Sequence, residues 1–243
     1  MSDGLVLSSH VDKVHLPAQE SLREREADSL NTWPYEHKGR ALKELSRLSS
    51  TWVAELIQSG VAIGIGQEFL SEISTTLGAL AEEARLVPRD SREDDWSLSG
   101  AYGRGEFPWH TDGAISTSPP RWMVLQSDSQ TSVGTELLDP DPVLLAKFRK
   151  ATLRAADARG RVRYLPALVP STKNAHRIRW DPRTCPATNP ALNAEVTSLP
   201  ASRIVDWRKN TVALVDNHRI LHRRPAVQEE HRELKRFYIR EES

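Results

Sequence analysis

Trp109-His110-Thr111-Asp112-Gly113 sets an imidazole and a carboxylate two positions apart, and Leu221-His222-Arg223-Arg224 supplies a second imidazole far downstream. On a strand, side chains at i and i+2 share a face, so His110 and Asp112 can reach one metal ion. Two imidazoles and one carboxylate on one side of a metal leave the opposite positions open, which is the ligand set of non-haem Fe(II) oxygenases. The bland alternative is that His-x-Asp is a chance pairing and His222 a surface residue in an arginine-rich strand. His218 competes for the third place, since it stands four residues before His222. It falls at a turn expected around Asp216-Asn217, where a His is ordinarily exposed or a turn former, and His222 is preferred. His10, His15, His37, His176 and His231 have no partner at ligand spacing.

Several elements must position these groups. Leu42, Leu45, Leu48, Trp52, Val53 and Leu56 recur at threes and fours, which predicts a helix over 41–59 that Gly60 ends. Val61 to Gly66 reads as a short strand. Gly64 and Gly66 lack the third glycine of a dinucleotide loop, and that reading is rejected. A second helix is expected over 69–86 and a charged connector over 88–95. After Trp96 short runs of strand composition alternate with Gly, Pro, Asn and Asp. Strands are expected near 97–102, 106–112, 121–127, 133–138, 161–168, 176–180, 203–207, 211–215, 219–223 and 232–240. One helix is expected over 140–158, and a loop or lid over 182–200. Trp109 and Trp122 could wall a substrate, but Trp109 alternates away from His110 to point behind the site, and core packing is preferred for both. Glu106 reads as readily as a solvated charge as a substrate contact.

The whole chain of 243 residues suits one domain: a polar N-terminal arm over 1–40, a helical flank over 41–95 and a β core over 96–243. Helices followed by many strands point to helices packed on a β-sandwich or barrel. Lys and Arg number 33 against 33 Asp and Glu, so no nucleic-acid or membrane partner is expected. Cys185 is the single cysteine, which excludes an intrachain disulfide and fits a reducing, cytoplasmic setting. No apolar run reaches the ~20 residues that span a bilayer.

These segments resemble the taurine dioxygenase and clavaminate synthase-like family of Fe(II)/2-oxoglutarate-dependent oxygenases over roughly Leu98 to Arg240. Trp109 to Gly113 is similar to its first metal motif, and Pro119-Pro120-Arg121 to the usual continuation. Gly134-Thr135-Glu136-Leu137-Leu138-Asp139 resembles the segment whose Thr contacts 2-oxoglutarate. Asp216 to Arg224 resembles the distal-His motif, and Arg232-Glu233-Leu234-Lys235-Arg236 the terminal strand whose first Arg holds the co-substrate.

The resemblance implies a double-stranded β-helix, a cupin-like jelly roll with flanking helices. It also implies Fe(II) on His110, Asp112 and His222, with 2-oxoglutarate and dioxygen as co-substrates. The implied reaction oxidises an unactivated C–H bond and releases succinate and carbon dioxide. Halogenases of that superfamily lack the carboxylate, so Asp112 points to hydroxylation or a related oxidation.

Arg232 and Arg236 alternate onto one face of the last strand. A guanidinium pairs with a carboxylate bidentately and keeps its charge when partly buried. Arg232, with Thr135, is assigned to the distal carboxylate of 2-oxoglutarate, and Arg236 to an anionic group of the substrate. The short spacing after His222 leaves both arginines in reach of the first role. The substrate is expected to be a small molecule, zwitterionic or carboxylated, such as an amino acid or natural-product intermediate. Two rival readings stand: a non-enzymatic β-sandwich binding module, and a zinc hydrolase using the same three ligands.

Overall fold

Trp52, Val53 and Leu56 turn one apolar face of a helix, α1 (Thr51–Ser59), toward the core, and Gly60 closes it in the left-handed region at φ 72°. The computed structural model describes residues 50–89, 98–156, 160–172, 175–228 and 232–239. The arm at 1–40, the first half of the helix expected from Ala41 and most of the connector at 88–95 lie outside those residues. β1 (Val61–Ile65) follows, then α2 (Gly66–Leu77). α2 stops short of Leu86. Gly78 adopts φ 120°, and Leu80–Leu86 leaves it as a strand, β2, antiparallel to β12 (Leu234–Ile239). Strand pairing overrides the helical propensity of Leu80-Ala81-Glu82-Glu83-Ala84.

Four further expectations are corrected. Leu98–Tyr102 is a short helix, α3, not a strand. Residues 106–112 form no strand; His110 alone makes an isolated bridge. α4 (Pro142–Lys150) is capped by Asp141, whose carboxylate accepts from the Leu144 N–H at 2.7 Å, but it ends well before Ala158. Thr152–Ala156 instead pairs as β5 with β6 (Val162–Pro166). Inside the expected loop at 182–200 lies α5 (Pro190–Ser198), capped by the Asn189 side chain with Pro190 in its first turn.

The remaining strands fall where composition placed them, β3 (Trp122–Gln126), β4 (Thr135–Leu138), β8 (Ala175–Ile178), β9 (Arg203–Val205), β10 (Thr211–Asp216) and β11 (Leu221–Arg223), except β7 (Leu168–Thr172), which pairs with β8 where no strand was expected beyond residue 168. Five form an antiparallel sheet ordered β1-β10-β3-β12-β2, and three form a second, β11-β4-β9. Alternation assigns the faces. Trp122, Val124, Val212 and Leu214 pack under Trp52, Leu56, Phe69 and Ile73 of the helices. Met123, Leu125, Ala213 and Val215 face the other way, onto Leu137, Val205 and Trp207 from the smaller sheet and the chain after it. β10 is buried at every residue because both its faces are covered. Each buried Val, Leu, Ile, Met or Phe among them contributes about 1.5–3 kcal/mol by burial. The result is the mainly β jelly roll with flanking helices, and the site lies between its sheets.

Candidate metal centre

His110 and His222 stand opposite each other in an antiparallel hydrogen-bonded pair: His110 N–H to His222 O is 3.0 Å and the reciprocal bond 2.9 Å. Residues so paired project their side chains to one face, and the two rings lie 4.1 Å apart between centroids. Thr111 N–H donates to Trp180 O at 2.7 Å, and the chain then turns the Asp112 carboxylate inward. Asp112 Oδ1 is 3.7 Å from His110 Nε2 and 3.6 Å from His222 Nε2. One ligand atom from each residue lies within 4.8 Å of the others, and all three residues are buried. The two histidines therefore meet through main-chain pairing, and His110 and Asp112 come together without the strand expected over 106–112.

The protonation states suit a metal. His110 Nδ1 lies 2.9 Å from Pro108 O. A carbonyl there makes Nδ1 the donor, which leaves Nε2 with its lone pair. Burial and the neighbouring His222 lower the His110 pKa to about 4, against the opposing pull of Asp112 and Asp181, so the ring is neutral near pH 7. For Asp112, burial alone would raise the pKa. The close His222 ring, the Arg236 guanidinium and the His110 ring outweigh it and hold the carboxyl well below the usual range. Buried imidazole nitrogens and a carboxylate oxygen converging on one point fit a divalent first-row metal with open positions.

One cavity of about 370 Å³ runs from this triad to Thr135, Arg232, Leu234, Arg236 and Tyr238. Arg232 is 3% exposed; its Nε donates to Val133 O at 3.2 Å and its Nη2 to Thr135 Oγ1 at 3.4 Å. Trp207 Nε1 donates to the same hydroxyl at 3.0 Å and fixes its rotamer. The structure thus places Thr135 and Arg232 together at the far end. Arg236 it places elsewhere than facing open space: its Nη1 donates to Asp112 Oδ2 at 3.1 Å. Tyr238 OH donates to the same oxygen at 2.8 Å. Oδ2 is thereby tied down while Oδ1 faces the histidines.

Other residues take the following places. His218 is buried, contrary to the exposed turn expected of it, and its Nε2 lies 3.1 Å from Pro119 O; it does not line the cavity. Trp109 is 1% exposed and packs behind the site, its Nε1 donating to Leu199 O. Trp122 is equally buried, in the core under the helices. Glu106 is solvated and pairs with Arg223 at 3.2 Å. His231 lies outside the described residues. The sequence reading missed Tyr238 as a partner of Asp112, although alternation with Arg236 placed it on the right face. It also missed Phe107, Asp181, Arg183 and Arg224, which line the cavity from irregular segments that carry no periodic signal.

No family model and no curated protein matches the chain. Solved structures do. The non-haem iron oxygenase OrfP in complex with Fe and alpha-ketoglutaric acid superposes with a TM-score of 0.60 at 17% identity, over 90% of this chain and 90% of that one. Asparagine oxygenase in complex with Fe(II), hydroxyasparagine and succinate gives 0.58 at 12% identity, over 89% and 82%. PvcB of Pseudomonas aeruginosa, an Fe, alpha-ketoglutarate-dependent oxygenase, gives 0.54 at 18% identity, over 80% and 81%. In fold, this chain is similar to Fe/2-oxoglutarate-dependent oxygenases across most of its length.

Proposed function

We propose that the protein is an Fe(II)- and 2-oxoglutarate-dependent dioxygenase that oxidises an unactivated C–H bond of a small molecule, releasing succinate and carbon dioxide. The observation that carries this reading is the pairing within one cavity of the buried His110, Asp112 and His222 triad with Arg232 and Thr135. A hydrolytic zinc site needs the first group and has no use for the second.

His110, Asp112 and His222 would hold the iron, which when bound supplies dioxygen activation. The chain's own contribution is position and exclusion of water. Arg232 receives the distal carboxylate of 2-oxoglutarate, and Thr135, oriented by Trp207, donates to it. Met123, Leu125 and Leu234 wall the space between that carboxylate and the triad with apolar surface. Low polarity there strengthens the arginine–carboxylate contact. On the other side Leu98, Ser99, Phe107, Asp181, Arg183 and Arg224 frame room for the primary substrate. OrfP and asparagine oxygenase are seen with hydroxylated arginine and asparagine, and an amino-acid-like or carboxylated substrate is part of this proposal. So is a cytoplasmic setting, supported by the lone Cys185 and by the absence, among the described residues, of any helix long and apolar enough to cross a membrane.

The test is anaerobic addition of Fe(II) and 2-oxoglutarate to the purified protein. The weak visible charge-transfer band of an iron–oxoacid chelate is expected, as is slow succinate formation once oxygen is admitted. Zinc retention with no band and no succinate would sink the reading in favour of a hydrolase. Neither metal nor oxoacid binding would leave a binding module.

A further inference from the structure

Asn217 lies in the turn between β10 and β11 and is 1% exposed. Its carboxamide grips the main chain of Asp112 on both polar groups. Oδ1 accepts from Asp112 N–H at 2.7 Å, and Nδ2 donates to Asp112 O at 3.0 Å. Nδ2 also donates to Pro120 O at 2.7 Å. A pair of bonds to one residue's N–H and C=O is what a neighbouring antiparallel strand would supply. Asp112 lies outside every strand, so a side chain does that work instead.

The partners dictate the residue type. The amide NH₂ must face two carbonyls and the amide oxygen must face an N–H, so the carboxamide has one acceptable orientation. Aspartate would set a carboxylate oxygen against two carbonyls. Leucine or serine would leave buried main-chain groups unpaired, which costs more than the bond itself contributes.

The turn that carries Asn217 is itself fixed. Asp216 Oδ2 takes Arg121 Nη2 at 3.2 Å, Asp216 Oδ1 takes the His218 N–H at 3.1 Å, and the Asn217 N–H donates to Arg121 O at 2.7 Å. The same turn leads into β11 and His222. Arg236 and Tyr238 hold the outer oxygen of the Asp112 carboxylate, but neither holds the backbone from which it hangs.

We propose that Asn217 is a positioning residue of the metal centre, coupling the Asp112 main chain to the turn that delivers His222 and so setting where Asp112 Oδ1 lies relative to the two imidazoles. The inference rests on the metal reading of the triad.

The test is titration of the full-length protein with Co(II), followed by calorimetry and by the visible ligand-field spectrum. Asn217→Ser and Asn217→Leu both remove the clamp, one small and one of similar bulk. Either, if folded by circular dichroism, should bind Co(II) about 10–100-fold more weakly, as when the supports of other ligands are removed, and with an altered spectrum. His218→Ala frees Pro119 O in the same loop without touching Asp112, and should keep wild-type affinity and spectrum. Wild-type affinity and spectrum in a folded Asn217 variant would overturn the proposal and make Asn217 a turn residue only. A loss of equal size in His218→Ala, or failure of both Asn217 variants to fold, would overturn it too, because the loop or the fold at large would then be responsible. If His222→Ala binds Co(II) as tightly as wild type, the metal reading fails, and Asn217 is not the cause.

Discussion

The metal end of the cavity is buried throughout, the arginine end only in part, with Arg232 and Leu234 buried and Arg236 and Tyr238 half-buried, and the two ends are built differently. At the metal end, His110 and Asp112 stand two positions apart and His222 comes from far downstream, and one reciprocal main-chain pair, His110 with His222, joins them outside any continuous strand at His110. At the arginine end, Arg232, Leu234, Arg236 and Tyr238 come from one short stretch, Arg232 just ahead of β12 and the other three at alternate positions along it, and all four line the cavity. The first construction concentrates function in a few irreplaceable atoms. The second spreads it along a face, where one side chain can lean on the next. Loss of a group should therefore be absolute at the metal end and graded at the arginine end.

The largest effect is expected from His222→Ala. It removes one of three ligands and leaves Asp112 with a partner missing, so the charge-transfer band with Fe(II) and 2-oxoglutarate should vanish. His218→Ala should retain most of it, because His218 points to Pro119 O and not to the cavity. A band that survives in the first variant and disappears in the second would break the comparison at its root.

Arg232→Ala comes next. Leaving a buried carboxylate without its guanidinium costs roughly 2–5 kcal/mol, so the concentration of 2-oxoglutarate needed for half-maximal succinate formation should rise by tens of fold or more. Iron or Co(II) binding without the oxoacid should stay near wild type. If metal affinity fell as far as oxoacid affinity, the two ends would be one structural unit.

Arg236 marks where the ends touch, and here the structure adds a contact that the sequence assignment did not include. Alternation placed it beside Arg232 as a substrate anchor, yet its guanidinium is engaged by Asp112. Its charge helps hold the Asp112 carboxyl below the usual range. Arg236→Ala should let that pKa rise. Because protons compete with metal for the carboxylate, the acid limb of Co(II) binding should move to higher pH. A pH profile unchanged from wild type would mean that Arg236 contributes to substrate binding alone, as first read.

What could be read in advance follows the same division. The arginine end was legible because period-two alternation from Arg232 onward is a local pattern. The metal end was legible by residue type, yet for a partly mistaken reason: His110 and Asp112 share a face without the strand that spacing implied. Pro108 cannot donate to a ladder, and Gly113 at φ 69° turns the chain at once, so only a single bridge survives. In the flank, Leu80–Leu86 was misread as helix because the partner that makes it a strand, β12, lies at the other end of the chain. Leu98 and Ser99 were not found because the short helix α3 was read as a strand, and Phe107, Asp181 and Arg183 because irregular segments are shaped by tertiary contacts that no short window contains.

The smallest effect sharpens the comparison most. Tyr238 OH and Arg236 Nη1 both donate to Asp112 Oδ2. If the arginine end supports the carboxylate by shared, graded contacts, removing one donor leaves the other in place. A hydrogen bond to a charged acceptor contributes about 1.5–3 kcal/mol, and the retained Arg236 should offset part of that. Tyr238→Phe keeps the ring and its packing and deletes one oxygen. Co(II) affinity should then fall by roughly three- to tenfold, less than the full bond energy alone would give, because Arg236 still holds Oδ2. Affinity for 2-oxoglutarate at saturating metal should not change, because Arg232 and Thr135 do not contact the phenol oxygen's partner. The double variant Tyr238→Phe with Arg236→Ala decides whether the sharing is real. A combined loss larger than the sum of the two single losses in free energy identifies two donors that substitute for one another on Oδ2. Strict additivity would show instead that each acts alone, and that the arginine end does not share its support of Oδ2 between neighbours.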